Sequence, residues 1–461
     1  MKRALRYAMS TILSISLSLF PSSARHAESA QGPTVNPLQR LSQSQEELAY
    51  TLGVQAYIYG YPLVVTAKTM GDMTRSLAPL NQFGYMESLA SPAFRAIVTP
   101  NSDTLYLNAW LDLSQTPVLL QVPENPENRY YTVQMLDAYT NTFHNESNRL
   151  TKGKARQSVI VGPNWKGSLP PNLPTIHAPT NTVWLIGRVE VKGEQDLSKA
   201  IAFEKQIQIK ALVPGSPRTS PEVPKNALTS LDFYRVMTDV IRKNPPPACD
   251  HVLLNQFALA GIDVQSGFDP AKLTPAKLAG LKRALQDAPN IVQNGFPPYA
   301  TFQNGWGSFS PIGTYGDQFL ARAFIAFTGL AANVPEEEAY YRAFTDSKNL
   351  PLSGDKAYTL HFEPSEVPKT SAFWSINVYN DQLYLAQTEA NRSSVRSNNG
   401  TLRLNPDGSL DIAIQKSPPA NQQVNWLPVP AGRFNLVLRV FAPEPGTLGP
   451  QHTWPAIREN R

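Results

Sequence analysis

Two stretches of this sequence are alike at every position: Tyr130-Tyr-Thr-Val-Gln-Met-Leu-Asp137 and Phe373-Trp-Ser-Ile-Asn-Val-Tyr-Asn380. Each has two aromatic residues, a hydroxyl residue, a β-branched residue, an amide, an apolar residue, a bulky residue and then Asp or Asn. Each is followed by an apolar strand pattern that contains one arginine, Arg188 in the first region and Arg439 in the second. The match predicts that the two regions are diverged copies of one β-rich unit.

The same two regions also share a dipeptide at equal spacing. Asn148-Arg149 ends twelve residues after Asp137, and Asn391-Arg392 ends twelve residues after Asn380. Equal spacing predicts that the two dipeptides occupy matching places. Arginines in such units are either structural, paired with a carboxylate, or available to recognise an anion or a sugar.

Short apolar or alternating runs between turn residues surround both stretches, as expected for an antiparallel sandwich. The 41 prolines also favour turns and edge strands over long helices. We therefore predict an α+β protein with two related antiparallel β-sandwich or jelly-roll-like units. The strand candidates are 105–111, 118–122, 130–136, 158–161 and 183–191, then 358–362, 373–378, 401–404, 410–414 and 434–441.

Helical patterns precede the first unit and separate the two. An S-x-x-E capping box at Ser44 predicts the start of the first helix, which should end before Pro62. Between the units, periodic apolar residues predict helices over 200–211, 231–243, from 275 onward and over 317–332. The resulting domains are a signal peptide (1–24), a tether (25–43), a helix plus first β unit (44–193), a helical insertion (194–350), a second β unit (351–445) and a tail (446–461).

The N-terminus has the pattern of a signal peptide, with cations at Lys2, Arg3 and Arg6 before an apolar run and small residues up to Ala24. A membrane anchor is the competing interpretation, but the run is shorter than the ~20 apolar residues that a span requires. Cleavage after Ala24 lowers the formal charge from +5 to +2. We therefore predict a periplasmic or secreted protein with no membrane span in the mature chain and no nucleic-acid partner.

Known catalytic and metal motifs are missing from the sequence. Cys249 is the only cysteine, so no internal disulfide can form, and the six histidines are scattered without metal-ligand spacing. There is no G-x-S-x-G, P-loop or G-x-G-x-x-G. The sequence predicts no metal site, names no cofactor and leaves the oligomeric state open.

At the family level, the chain resembles the bacterial domain-of-unknown-function families 1254 and 1214, in that order. The residues that carry the resemblance are 99–106, 131–137 and 148–149 for the first family, and 313–316, 322, 373–375, 391–392 and 426–428 for the second. The resemblance implies two β-sandwich or jelly-roll-like units with helices in a commonly exported protein. No reaction is attached to either family name.

Candidate site residues come from the polar stretches next to strands. Asn101, Asp103 and Thr104 are either an Asx-type turn or a set of hydrogen-bonding groups at the mouth of a cleft. If acid–base chemistry occurs, His144 is the candidate base, with Asp103 or Asp137 as its carboxylate. The candidate ligand-binding residues are Asn101, Thr104, Asn148, Arg149, Asn391 and Arg392.

Three functions remain open from the sequence. The leading hypothesis is an exported protein that binds a polar small molecule or glycan in a cleft between the two β units. The alternatives are a hydrolase or lyase with its acid–base site in the first unit, around His144, and a purely structural envelope protein.

Overall fold

The computed structural model describes residues 36–213, 222–295, 300–421, 423–446, 448 and 452–460. The helices of these residues are α1 (Pro37–Ser76), α2 (Asn148–Thr151), α3 (Leu197–Glu204), α4 (Asp232–Lys243), α5 (His251–Leu259), α6 (Pro275–Asn294) and α7 (Phe319–Thr328). The expected signal peptide and most of the expected tether lie outside the described residues. None of the helices in the described part of the chain combines the length and hydropathy that a membrane span needs.

The first helix is longer at both ends than its sequence pattern predicts. It begins at Pro37, because the side chain of Asn36 accepts the amide of Leu38 at 3.0 Å, and not at the predicted Ser44 cap. It also continues through Pro62, where an end was predicted. The residues around Pro62 are buried, and α1 packs closely on α6, where a Cβ at Gly280 would lie 2.3 Å from the Glu46 carbonyl oxygen. Tertiary packing therefore outweighs the hydrogen bond that proline removes.

The first β unit consists of two sheets. Its strands are β1 (Gly84–Tyr85), β2 (Thr104–Asp112), β3 (Val118–Val122), β4 (Tyr131–Leu136), β5 (Thr142–Ser147), β6 (Arg156–Val161), β7 (Thr175–His177), β8 (Thr182–Glu190) and β9 (Gln208–Ala211). One sheet has the order β1-β2-β8-β4-β5 and the other the order β7-β6-β3-β9. An apolar core fills the space between the two sheets.

The second β unit also has two sheets with an apolar core between them. Its strands are β10 (Ala300–Gln303), β11 (Trp306–Phe309), β12 (Glu338–Ala343), β13 (Tyr358–Phe362), β14 (Thr370–Tyr379), β15 (Ser394–Arg396), β16 (Leu410–Gln415), β17 (Asn425–Pro428), β18 (Asn435–Pro443) and β19 (Arg458–Glu459). The sheet orders are β10-β11-β12-β18-β14-β15 and β17-β16-β13-β19.

The topologies of the two units match strand for strand. If β1 to β9 are renumbered β11 to β19, every pairing of the first unit is reproduced in the second. The match includes the one parallel pair of each unit, β6 with β7 and β16 with β17. The predicted α+β fold with two related units is therefore confirmed.

Some local predictions were wrong. The region 194–350 contains strands as well as helices, and the helix predicted to reach residue 211 ends at Glu204 before β9 begins. The second unit starts at β10, within the predicted helical insertion, and residues 401–404 form no strand. Strand β5, which carries His144, was not predicted.

The helices cover one face of the first unit. Tyr106, Trp110 and Trp184 project from β2 and β8 into an apolar core shared with α1, α4 and the other helices. Side chains on a strand alternate between faces, so the next residues along β2 and β8 belong to the core between the sheets. The end of this face that the helices leave uncovered meets the second unit.

Candidate functional site

The two β units meet through a pair of matched arginines, one from each central strand. Arg188 lies on β8 opposite Tyr106 of β2, and Arg439 lies on β18 opposite Tyr340 of β12. Both guanidinium groups are buried. The strand alternation directs both arginines away from the sandwich cores and toward the junction between the units.

The contacts of the two arginines follow the same plan. Arg188 donates to the side-chain oxygen of Gln134 on the neighbouring strand, and Arg439 donates to that of Asn377, both at 2.8 Å. Each arginine also donates to a backbone carbonyl oxygen of the segment that leads into the partner unit. Arg188 contacts the carbonyl of Ala331 at 3.0 Å, and Arg439 contacts that of Thr99 at 2.7 Å.

A single carboxylate serves both arginines. The two carboxylate oxygens of Glu338, at the start of β12, lie 3.4 Å from Nε of Arg188 and 3.3 Å from Nε of Arg439. Burial lowers the pKa of each arginine, but the negative charge of Glu338 and the neighbouring tyrosines more than offset it, so both pKa values end above the ordinary range. Both guanidinium groups therefore stay charged.

A third arginine at the junction has no such partner. Arg342, two residues after Tyr340, donates to the hydroxyl of Thr99 at 2.9 Å, and no carboxylate of the described residues lies within ion-pair distance of it. Burial, together with the positive charge of Arg439, lowers the pKa of Arg342 to about 10. It is thus a charged group at neutral pH that its surroundings destabilise.

These groups surround a cavity of about 70 Å³. Its polar lining is formed by Arg188, Arg342, Arg439, Glu338, Tyr106, Tyr340, Asn101, Thr99 and Thr328. The remaining walls are apolar and come from 97–98, Phe309, Ile312, Ile325, 329–332 and Val437. Three guanidinium groups and one carboxylate give the lining an excess of two positive charges.

Three predicted site residues lie at this junction. Asn101 is buried and lines the cavity, while its side-chain oxygen accepts the amides of Asp103 and Thr104 in an Asx-type turn. Asp103 is fully buried and accepts a 2.6 Å hydrogen bond from Ser375 of the second unit. Thr104 donates its hydroxyl to Asn101. Both interpretations of the stretch therefore have support, since it forms a turn and one member reaches a cavity.

Asp137 lies elsewhere and makes a turn. Its Oδ1 accepts the amides of Tyr139 and Asn141 at 2.9 and 2.8 Å. Asn380, at the matching place in the second unit, accepts the amides of Gln382 and Tyr384 in the same pattern. Burial raises the pKa of Asp137 to about 6, although the hydrogen bonds from Asn141 act against the shift.

His144 projects from β5 toward the other sheet of its own unit. Its Nε2 lies 3.6 Å from Glu146, whose carboxylate also accepts the hydroxyl of Ser158 on β6. The next residue, Asn145, points the other way and donates to Asn333 near the junction. Since Asp103 contacts the second unit, His144 and Asp103 lie on opposite faces of the sheet, and no hydrogen bond or ion pair between described residues joins them.

The two Asn-Arg dipeptides do not occupy matching places. Asn148 follows β5, and Arg149 forms an ion pair of 2.7 Å with Glu337 of the second unit. Asn391 and Arg392 precede β15, far along a longer loop, and Arg392 donates to the carbonyl of Trp426 at 2.6 Å. The equal spacing is therefore a coincidence of loop length.

Sequence reasoning did not select Glu338, Tyr340 and Arg342, because their segment was assigned to the helical insertion. A signal was present: Ala339-Tyr-Tyr-Arg-Ala343 matches Leu105-Tyr-Leu-Asn-Ala109 at the tyrosine and the alanine. Arg188 and Arg439 were recognised as a pair but not placed in the site. Among the described residues, no group of three or more His, Cys, Asp or Glu is arranged to hold a metal ion.

Two solved structures align with about nine tenths of this chain. The VPA0106 protein from Vibrio parahaemolyticus is 24% identical, with a TM-score of 0.68 over 90% of this chain and 100% of that one. An uncharacterized protein from Burkholderia cenocepacia is 14% identical, with a TM-score of 0.47 over 92% of this chain and 98% of that one. The first likeness shows a shared fold. Among curated proteins, none matches the chain.

Two family models match separate parts of the chain, and both describe a protein of unknown function. DUF1254 matches residues 80–211, which contain all the strands of the first β unit, and DUF1214 matches residues 337–445, which contain most of the second. The order is the one that the sequence motifs predict. The chain therefore contains a region that matches the DUF1254 model, followed by a region that matches the DUF1214 model.

Proposed function

We propose that the protein binds a small molecule with an anionic group in the cavity between its two β units. The observation that carries this proposal is the excess of positive charge around the cavity. Glu338 compensates Arg188 and Arg439 in part, whereas Arg342 has no carboxylate partner among the described residues. A carboxylate or similar anion beside Arg342 would supply the missing charge.

The proposal narrows the hypothesis drawn from the sequence. A polar small molecule or glycan in the cleft was expected, and the charges favour a ligand that is itself negative. A neutral sugar would leave Arg342 uncompensated, while a sugar acid would not. The predicted acid–base pairs around His144 stay predictions, since no contact in the structure favours a reaction there.

Replacing Arg342 tests the proposal. Small carboxylates such as butyrate and galacturonate, with glucose as the neutral comparison, would be titrated calorimetrically at fixed ionic strength. We expect the carboxylates to bind and Arg342→Met to weaken them at least about tenfold, since a charged hydrogen bond contributes ~1.5–3 kcal/mol. The matched control is Arg403→Met at an exposed arginine outside the cavity, which should bind as the parent protein does. Absence of carboxylate binding, or equal binding by Arg342→Met, would contradict the proposal.

We also propose that the chain is exported and cleaved after Ala24. The cations and the short apolar run of residues 2–20 support this. Sequencing the N-terminus of protein recovered from the periplasm or the medium should give a chain that begins at Arg25. Recovery of the uncleaved chain from the cytoplasm alone would refute the proposal.

A further inference from the structure

The cavity at the arginines adjoins a larger one. A second cavity, of about 480 Å³, shares Phe309, Ile312 and Tyr340 with the first. These three side chains therefore stand between the buried arginines and the larger space. Any ligand that reaches the arginines along this route lies against them.

The two cavities differ in size, so each fits a different part of a ligand. The first, at about 70 Å³, has room for a headgroup but not for a whole ligand. The second, at about 480 Å³, falls within the ~300–1,000 Å³ typical of small-molecule sites. The body of a ligand whose anionic group contacts Arg342 must therefore lie in the second cavity.

The second cavity suits an apolar body. Its lining includes Pro335, Ala339, Tyr341 and Leu448 in addition to the shared Phe309 and Ile312. Of the charged groups at its edge, Arg149 is already paired with Glu337, and Glu336 and Glu444 are exposed. Burial of apolar surface is thus the main free energy that the second cavity can supply.

We infer that the ligand is an amphipathic monoanion, with its charged head beside Arg342 and an apolar chain or ring in the second cavity. This inference rests on the proposed function and specifies the class of ligand for the same site. The apolar walls of the first cavity around Ile325 and Val437 extend the apolar surface up to the arginines.

A series of straight-chain carboxylates from butyrate to octanoate tests the inference by titration calorimetry at fixed ionic strength. Each added methylene should lower Kd about fourfold, as expected for burial of a CH₂ group. Octanol should bind at least about tenfold more weakly than octanoate, because it lacks the charge that Arg342 contacts.

Filling the second cavity gives the decisive variant. Ser308 lines this cavity but not the first, so Ser308→Trp should keep the affinity for butyrate and weaken octanoate at least about tenfold. Ser308→Ala is the matched control and should bind both like the parent. Thr301, opposite Ser308 on β10, gives a second filling variant, Thr301→Trp, if the first folds poorly.

The outcomes separate the two proposals. Carboxylates that bind equally at every chain length would overturn the amphipathic ligand and leave the anion site standing. A chain-length effect that survives in both filled variants would also overturn it, because the chain would then lie elsewhere. Failure of every carboxylate to bind would overturn the anion site itself.

Discussion

The two β units have the same strand topology but different charges at equivalent positions. Two residues before the tyrosine that faces each arginine, the first unit has Thr104 and the second has Glu338; two residues after it, the first has Asn108 and the second has Arg342. In the first unit, Asn108 accepts the indole N–H of Trp184 at 3.1 Å beneath the helices. Duplication thus supplied two similar faces with one matched arginine each, and only the second unit added a further carboxylate, Glu338, and a further arginine, Arg342, to the cavity.

Removing the shared carboxylate should have the largest effect on stability. Glu338→Gln leaves Arg188 and Arg439 buried without their common partner, and breaking such buried pairs costs about 3–5 kcal/mol. We expect that decrease in the free energy of unfolding, measured by urea denaturation. The same variant should bind butyrate more tightly than the parent, because the negative charge of Glu338 no longer opposes the anion beside the three guanidinium groups.

The control for this variant is Glu336→Gln, two residues earlier at an exposed position. It should change the free energy of unfolding by less than about 0.5 kcal/mol. If Glu338→Gln changed the free energy of unfolding equally little, the stability of the second unit would not depend on Glu338. The difference between Glu338 and Thr104 at equivalent positions would then have no effect on stability.

A second difference between the units predicts a pH effect. In the first unit α3 joins β8 to β9, whereas the described residues between β18 and β19 form no helix. Glu204, the last residue of α3, is fully buried, and neither carboxylate oxygen has a hydrogen-bond partner. Burial, with the nearby charge of Glu87, raises its pKa from 4.5 to about 8.

The sign of the effect follows from proton binding. Between pH 4.5 and 8 the folded protein holds a proton on Glu204 that the unfolded chain has released, so the free energy of unfolding falls as pH rises through this window. The fall attributable to this group should be about 2–4 kcal/mol. Glu204→Gln should remove it, while Glu194→Gln, at an exposed position nearby, should not. A parent protein whose stability is flat from pH 5 to 8 would refute the assignment.

Local patterns in the sequence were sufficient to predict the strands, arginines and turns that the two β units share. The strands β4 and β14 and the arginines of β8 and β18 were paired correctly, because hydrogen-bonded registers preserve spacing within a strand. The turn at Asp137 was also paired correctly with the one at Asn380. These signals survive divergence because each is fixed by contacts within a few residues.

Loops and non-local packing could not be inferred in the same way. The loop between β4 and β5 covers 137–141, whereas that between β14 and β15 covers 380–393, so counting residues matched Asn148-Arg149 with the wrong place. Because Glu338 and Arg342 are charged, the sequence of β12 lacks the alternation of apolar and polar residues that predicts a strand. Their burial depends on partners from the other unit, which no window of sequence contains.

Exchanging the turn residues should have the smallest effect of the three changes. Asp137→Asn gives the first unit the residue that the second has at Asn380, where the same two backbone amides are accepted. At pH 7 the exchange removes a buried charge whose pKa is raised to about 6, and it loses the 3.3 Å bond from the side chain of Asn141. Because these contributions oppose each other, we expect a change in the free energy of unfolding within about 1 kcal/mol.

The reciprocal change, Asn380→Asp, is the matched control and should be equally mild, since Asn380 is less buried. A loss of more than about 2 kcal/mol in Asp137→Asn alone would show that this carboxylate compensates a buried cation. Arg322 is the candidate, because its charge acts to lower the pKa of Asp137. The two turns would then share a backbone conformation, but their side chains at 137 and 380 would have different roles. Retention of stability in both variants would instead show that Asp and Asn form this turn equally well.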